Sequence, residues 1–350
     1  MTAVADLAPA PPTRLRVRDD HQTLGAHLAL WAGEDAARLA VAAAIVAMSE
    51  AGKKVATMLA RGGLDGDPAR IVGTNSDGDR QKALDVAAHG VFVEEALRAG
   101  AAWIGSEEAA APIEGASNGR VAIAFDPIDG SSMIGIAGAC GTLFSVLPVP
   151  AGSDAAGQVA SLTEPFAQPG ARQLAAGYLV YGPETVFGFT VGHGVQMMTL
   201  DRNDGVFKGT GLARKMPAST SEIGVDLSFR RHWTGRQARY VDDCLAGRDG
   251  PRGEDVRLRW MMAAVVDLHR ILVQGGIFLY PADRRPGNAN GRLRHVYEVN
   301  PMALLIEQAG GRATDGEGRR LLDLVPGHLH DRAPIVAGSR REVDRYESAG

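Results

Sequence analysis

Val121-Ala122-Ile123-Ala124-Phe125 is an unbroken run of five apolar residues, and it leads directly into Asp126-Pro127-Ile128-Asp129-Gly130-Ser131-Ser132. A short apolar run that stops at turn residues reads as a buried strand. The strand delivers Asp126 at its carboxyl end, Pro127 stiffens the turn, and Asp129 follows three residues on. Two carboxylates and the Ile128 carbonyl then converge on one point, and hard oxygen donors of that kind suit Mg2+ or Mn2+. Gly130, Ser131 and Ser132 add backbone N–H groups and hydroxyls beside it, a nest for a phosphate next to the cation. Asp-Pro and Asp-Gly are also common turn dipeptides, and an isolated pattern of this type reads as an Asx turn. The complete seven-residue string at a strand end favours the cation and the phosphate.

Working outward, the apolar run 102–104 leads into Gly105-Ser106-Glu107-Glu108. Paired glutamates usually belong to a solvated surface. These sit at a strand end about twenty residues before the Asp motif, where a sheet would place both at its carboxyl edge. Farther upstream, Asp79 and Asp85 flank Lys82 where a Gly-rich loop meets a helix, and they would add carboxylates to a multi-metal site. Downstream, Glu298 lies near the end of a strand-like run.

Around these motifs the periodicity predicts a loose tail over 1–20 and a long helix over 35–60 ended by Gly62-Gly63. An irregular loop over 61–80 follows, then a helix over 82–99 stopped at Gly100. Short strands are expected at 102–104, 121–125, 143–148, 175–181, 188–191 and 196–200, with a surface excursion over 150–172. Helices return at 233–245 and 261–273, strands at 276–279 and 294–298, and a helix at 302–308 ended by Gly310-Gly311. There is no strict βαβ rhythm. The expectation is an α/β protein of layered sheets and helices, with an N-terminal unit over 21–205 that carries the metal-site motifs and a C-terminal unit over 206–350.

Composition narrows the function. With 37 basic and 41 acidic residues among 350, the net charge of −4 lacks the excess expected of a nucleic-acid binder. Cys140 and Cys244 form no CxxC pair and no disulfide framework, which points to a reducing compartment. No signal-peptide pattern opens the sequence, and the Ala-rich run 36–48 contains Arg38 and is too short to cross a bilayer. A cytoplasmic protein without a membrane partner is expected.

The segments 105–108, 124–132, 141–147, 275–285 and 297–311 resemble class I fructose-1,6-bisphosphatase in order and spacing, as do 178–182 and the stretch from Arg259 to Arg270. The likeness covers roughly residues 35–340. The D-P-I-D-G-S-S string is shared with the wider lithium-sensitive phosphatase superfamily, which includes inositol monophosphatases. Gly276-Ile277-Phe278-Leu279-Tyr280-Pro281-Ala282-Asp283 and Tyr297-Glu298-Val299-Asn300-Pro301-Met302 point to the bisphosphatases in particular.

The resemblance implies a layered α-β-α-β-α fold, a homotetramer, and two or three Mg2+ per active site that serve hydrolysis of the 1-phosphate of fructose 1,6-bisphosphate. It implies that Asp126, Asp129 and Glu298 hold one ion. Glu107, Asp126 and the Ile128 carbonyl would hold a second, and Asp79 with Glu107 a third. Asp85 and Glu108 would orient and deprotonate the attacking water, and Gly130, Ser131 and Ser132 would take the 1-phosphate. Tyr280, Tyr297 and Arg292 would grip the sugar and its 6-phosphate, and Arg259 would reach the 6-phosphate bound by a neighbouring subunit.

Three positions depart from the family pattern. Asp226 stands where an Asn contacts the 6-phosphate, Arg292 replaces a Lys, and Trp260 replaces a Tyr. The positions of the AMP-inhibition site of animal enzymes hold Arg120, Val121 and Pro148. AMP is therefore expected to inhibit weakly by that mode, and a low-micromolar inhibition constant would refute this. The alternatives are a dual fructose-1,6-/sedoheptulose-1,7-bisphosphatase and, from a different class, a non-catalytic phosphosugar-binding regulator.

Overall fold

The computed structural model describes residues 21–74, 78, 80–149, 164–209, 215–233 and 235–349. Helix α1 (Leu24–Ala32) is followed by α2 (Ala36–Arg61), where the Asp35 side chain accepts from the Ala37 and Arg38 N–H groups, both at 2.9 Å. Gly62, at φ +52°, ends α2. A short hairpin follows, β1 (Ile71–Thr74) with β2 (Arg80–Lys82), and then α3 (Ala83–Arg98).

The large sheet contains β3 (Trp103–Ser106), β4 (Ile113–Glu114), β5 (Val121–Asp129), β6 (Cys140–Pro148), β7 (Ala175–Tyr181), β8 (Thr185–Thr190), β9 (Gln196–Asp201) and β10 (Val206–Gly209). Their order is β10-β9-β8-β7-β6-β5-β3-β4, antiparallel throughout except for the parallel pair β3–β5. A second sheet has the order β12-β11-β13-β17-β15, built from β11 (Glu222–Gly224), β12 (Arg257–Leu258), β13 (Ile277–Tyr280), β15 (Arg312–Thr314) and β17 (Ile335–Gly338). Strands β14 (Leu293–Arg294) and β16 (Arg332–Ala333) pair apart from it. The remaining helices are α4 (Gly235–Ala246), α5 (Ala264–Gln274), α6 (Asn300–Gln308) and α7 (Arg340–Ser348).

Three apolar layers stack these elements. Ile45, Met48 and Val55 of α2 and Phe92 of α3 are buried with Phe125, Phe144, Leu179 and Phe187 of the large sheet. A Cβ on Gly52 would stand 2.2 Å from Leu179 Cδ2, so α2 approaches β7 at a distance only glycine allows. The opposite face of that sheet, through Leu143 and Tyr178, packs on α5 and α6, which also meet Phe278, Ala313 and Ala337 of the second sheet. Finally Ile223, Ile277, Leu279 and Val336 are covered by Tyr240 and Val241 of α4 and Val343 and Tyr346 of α7. The architecture is α-β-α-β-α, an α/β fold.

Three local expectations change. The segment 61–80 holds β1 and the start of β2, paired with a register shift between Ile71 and Gly73. The segment 294–298 is not a strand: only Leu293 and Arg294 pair, and His295–Val299 form a single π-helical turn that runs into α6. All five residues of the turn are buried, so apolar pattern could not separate it from a strand, and Pro301 in the first turn of the following helix is the better signal. In place of a surface excursion, 164–172 forms two short 3-10 turns, and Phe166 is fully buried against Trp103 and Tyr297. The expected tail 1–20 and the segment 150–163 lie outside the described residues.

Candidate active site

Strand β5 continues past Phe125 to Asp129, and its pairing with β6 explains how two acids three residues apart come together. Asp126 opposes Leu143 and Asp129 opposes Gly141, so three steps on one strand match two on the other. In a regular strand an odd separation puts two side chains on opposite faces. The extra residue of this bulge cancels the inversion and turns both carboxylates to the same side. Pro127, which has no N–H to lose, sits in the bulge, and its carbonyl accepts from Thr142 Oγ1 at 2.8 Å. Asp126 Oδ1 accepts from the Ile128 N–H at 2.9 Å.

The third acid arrives from the far end of the chain. The π turn places Glu298 so that ligand oxygens of Asp126, Asp129 and Glu298 lie within 4.8 Å of one another, all three residues buried. Such turns occur frequently at functional sites. Asp129 is fixed from below by α5, whose Val265 N–H donates to Oδ2 at 2.5 Å, with the Ala264 and Gly130 N–H groups adding to it. Glu298 accepts from the Arg294 N–H.

Because β3 and β5 are parallel, with Ser106 opposite Phe125, β3 ends where β5 runs on into Asp126. The next residues, Glu107 and Glu108, are the central pair of a turn closed by the Ala109 N–H to the Ser106 carbonyl at 3.2 Å. The Glu107 N–H donates to the Phe125 carbonyl at 3.2 Å, and its carboxyl shares a hydrogen bond with Asp126. Asp85 lies in the first turn of α3, with Oδ2 accepting from the Lys82 N–H at 3.1 Å. Its buried Oδ1 has no hydrogen-bond partner among the described residues. Glu108 accepts from Gln81 Nε2 at 2.5 Å. Asp79 lies outside the described residues.

Asp85, Glu107, Asp126, Asp129 and Glu298 are all shifted upward, with burial the largest cause for each. Burial pushes Asp85 and Glu107 up to about 7 and Asp129 up to about 6. Asp126 and Glu298 are driven well above the carboxylate range, first by burial and then by the neighbouring acids. Without a cation the groups keep their protons to higher pH than free carboxylates do, whereas a divalent cation would favour their ionised forms. The donor set fits such an ion: all oxygen, buried, mutually repulsive, with Asp85 Oδ1 short of a donor.

Beside the acids, Gly130 takes φ +83°, and a Cβ there would stand 2.5 Å from Ala263 Cβ, so the turn requires glycine. Gly130 and Ser131 are partly exposed and Ser132 is exposed, which leaves the turn open to a ligand. Lys82 Nζ donates to the Ser131 carbonyl at 2.7 Å and ties the turn to the start of α3.

Family models of the N-terminal and C-terminal domains of fructose-1-6-bisphosphatase match residues 32–211 and 216–350. The class 1 fructose-1,6-bisphosphatases of Brucella suis and Brucella abortus are 45% identical over 344 residues, covering 98% of this chain and 98% of each relative. The chain belongs to the class I fructose-1,6-bisphosphatases. Among solved structures, the fructose-1,6-bisphosphatase of Leishmania major in holo form matches with a TM-score of 0.85 at 31% identity, covering 94% of this chain and 98% of that one. Its apo form gives 0.81 at 29% identity, covering 94% and 99%.

The second half of this bisphosphatase presents a different chemistry. Tyr280 is half-buried at the end of β13, with Arg292, Arg285, Asp226 and Glu298 all within electrostatic reach. Trp260 stacks on Phe278 and leans on Tyr280, with ring centroids 5.8 and 5.7 Å apart, so it contributes an apolar wall. Asp226 caps the short helix that follows, accepting from the Ser228 N–H at 3.0 Å and its hydroxyl at 2.6 Å. Arg285, which the sequence reading passed over, lies 3.4 Å over the Phe229 ring and pairs with Asp283 at 2.6 Å. Arg259 is exposed beside the edge strand β12 and pairs with Glu222 at 3.5 Å.

Tyr297 requires a correction. It is fully buried beneath the β3–β5 edge, packed with Trp103, Ala124 and Leu329, and its hydroxyl lies 2.9 Å from His330 Nδ1. It offers no hydroxyl to a sugar. Arg294 is the other residue that the sequence reading missed: it is buried, and its charge opposes the upward shifts of Glu107 and Glu298. Arg292 before it is exposed and lies outside β14, so strand alternation gave no signal for Arg294.

Proposed function

We propose that this chain hydrolyses the 1-phosphate of fructose 1,6-bisphosphate to fructose 6-phosphate and inorganic phosphate, with Mg2+, or Mn2+ in its place, as the divalent cation. The observation that carries the reading is the convergence of Asp126, Asp129 and Glu298 within 4.8 Å beside the Gly130–Ser132 turn. Asp126, Asp129 and Glu298 would hold one ion, and Glu107, Asp126 and the Ile128 carbonyl would hold a second. Asp79, outside the described residues, would supply a third position with Glu107. When bound, these ions neutralise the charge of the phosphate and make a coordinated water far more acidic than bulk water.

The protein's own groups do the rest. Gly130, Ser131 and Ser132 present N–H and hydroxyl donors to the 1-phosphate oxygens, and the N-terminus of α5 directs its dipole to the same place. Asp85 Oδ1 and the Glu108 carboxylate orient the attacking water and take its proton. A carboxyl held near neutrality, as Asp85 is at about 7, suits that exchange. Tyr280 and Arg292 hold the sugar and its 6-phosphate, so that the 1-phosphate is presented in line. Asp226, within electrostatic reach of Tyr280, has its Oδ1 engaged by the Ser228 N–H and hydroxyl. Arg259, exposed at the sheet edge, serves the site of a neighbouring subunit in a homotetramer, and the protein acts in the cytoplasm.

Phosphate release from fructose 1,6-bisphosphate, with Mg2+ and after chelation, tests the reading: release that is absent with Mg2+, or unchanged by chelation, refutes it. A second expectation concerns the distal end. Arg292→Ala should raise KM for the bisphosphate about tenfold or more while kcat changes less, because the lost contact is made equally before and during the reaction. An unchanged KM would remove Arg292 from the site.

A further inference from the structure

His330 lies far from the acids in sequence, on the loop before β16, yet it touches their turn. Its Nε2 is 2.9 Å from the Ala109 carbonyl, and its Nδ1 is 2.9 Å from the Tyr297 hydroxyl. A carbonyl only accepts, so Nε2 carries the hydrogen, and in the neutral ring Nδ1 is then the acceptor. Tyr297 must therefore donate its O–H to Nδ1. The same oxygen accepts from the buried Arg294 guanidinium. Every donor in this chain points one way: from Arg294 to Tyr297, from Tyr297 to His330, and from His330 to Ala109.

The two ends of the chain matter because of where they sit. Ala109 is the last residue of the turn whose central pair is Glu107-Glu108. The entry to that turn is held by β3 and by His89 Nδ1, 2.8 Å from Ser106 Oγ. Its exit carbonyl is held by His330. At the other end, Arg294 stands among Glu107 and Glu298, and its charge lowers both of them. The imidazole thus fixes the peptide that follows the two glutamates, through partners anchored against the acids themselves.

We propose that His330 is a positioning residue for the Glu107-Glu108 turn, setting the affinity of the divalent-cation site through the hydrogen-bond chain Arg294–Tyr297–His330–Ala109. The proposal rests on the reading of Glu107 and Glu108 as metal and water ligands. Outer partners of metal ligands typically contribute 10–100-fold to affinity or activity. His330→Ala should therefore raise the Mn2+ dissociation constant by about tenfold or more, read without substrate by electron paramagnetic resonance of free Mn2+. The half-saturating Mg2+ concentration in the phosphate assay should rise in parallel, while KM for fructose 1,6-bisphosphate stays within about twofold. In His330→Gln the amide can donate to Ala109 and accept from Tyr297, so this variant should recover most of the affinity. Tyr297→Phe removes one oxygen from the chain and carries the test should His330→Ala not fold.

Unchanged Mn2+ binding in His330→Ala or Tyr297→Phe would overturn the proposal. A purely structural role would overturn it too, and it would show as a common loss of melting temperature, metal affinity and KM that His330→Gln does not repair. Failure of the underlying reading looks different, because Glu107→Gln and Glu108→Gln would then leave Mn2+ binding and phosphate release unchanged.

Discussion

Replacing Asp126 with Asn should lower kcat for fructose 1,6-bisphosphate by about a thousandfold or more, an increase in barrier of about 4 kcal/mol. Asp126 is the acid common to both cation positions proposed here, and it sits in the bulge that turns it toward Asp129. Asn keeps the oxygen that accepts from the Ile128 N–H at 2.9 Å, so the bulge survives and only the charge is lost. The same substitution should not unfold the protein. Burial and the neighbouring acids drive Asp126 far above the carboxylate range, and in metal-free protein an amide resembles the protonated acid already present. The expected pair of results is a collapse of phosphate release with a chelated melting temperature that holds or rises. Retention of more than about a tenth of the activity would remove Asp126 from the reaction.

Much of this site is legible in the sequence because its acids are local to strand ends. Asp126 and Asp129 lie in one seven-residue string, and Glu107-Glu108 end the strand that runs parallel beside it. What the sequence conceals is geometry. Alternation would place Asp126 and Asp129 on opposite faces, and only the pairing with β6 reveals the bulge that unites them. Glu298 reads as the end of a strand because every residue around it is apolar or buried, yet it is delivered by a π turn. Tyr297 reads as a substrate contact only through the family resemblance. In the π turn the two side chains diverge: the tyrosine hydroxyl meets His330 and the carboxylate meets Asp126 and Asp129. Arg294 and His330 carry no local pattern at all. They are 36 residues apart, and β14 and β16, whose pairing sets Arg294 opposite Arg332, bring them together.

The second large effect is on stability and reverses with the cation. In chelated protein the melting temperature should fall by several degrees as pH rises from about 5 to about 8. The sign follows from the direction of the shifts. Asp85 stands at about 7 in the folded chain against 3.8 for the free side chain, Glu107 at about 7 against 4.5, and Asp129 at about 6 against 3.8. Between those limits the folded state binds more protons than the unfolded one, so stability is complete below the lower values and is lost as pH climbs through the upper ones. For Asp85 alone the change is on the order of 4 kcal/mol. Saturating Mg2+ removes the need for those protons, because a cation then balances the carboxylates, and the melting temperature should level off across the same range. Binding must also expel the protons. Calorimetric titration of Mg2+ near pH 6.5, in two buffers of different ionisation enthalpy, should record their release. A chelated protein whose melting temperature is flat from pH 5 to 8, or Mg2+ binding that releases no protons, would mean that these acids do not share one buried, cation-dependent site.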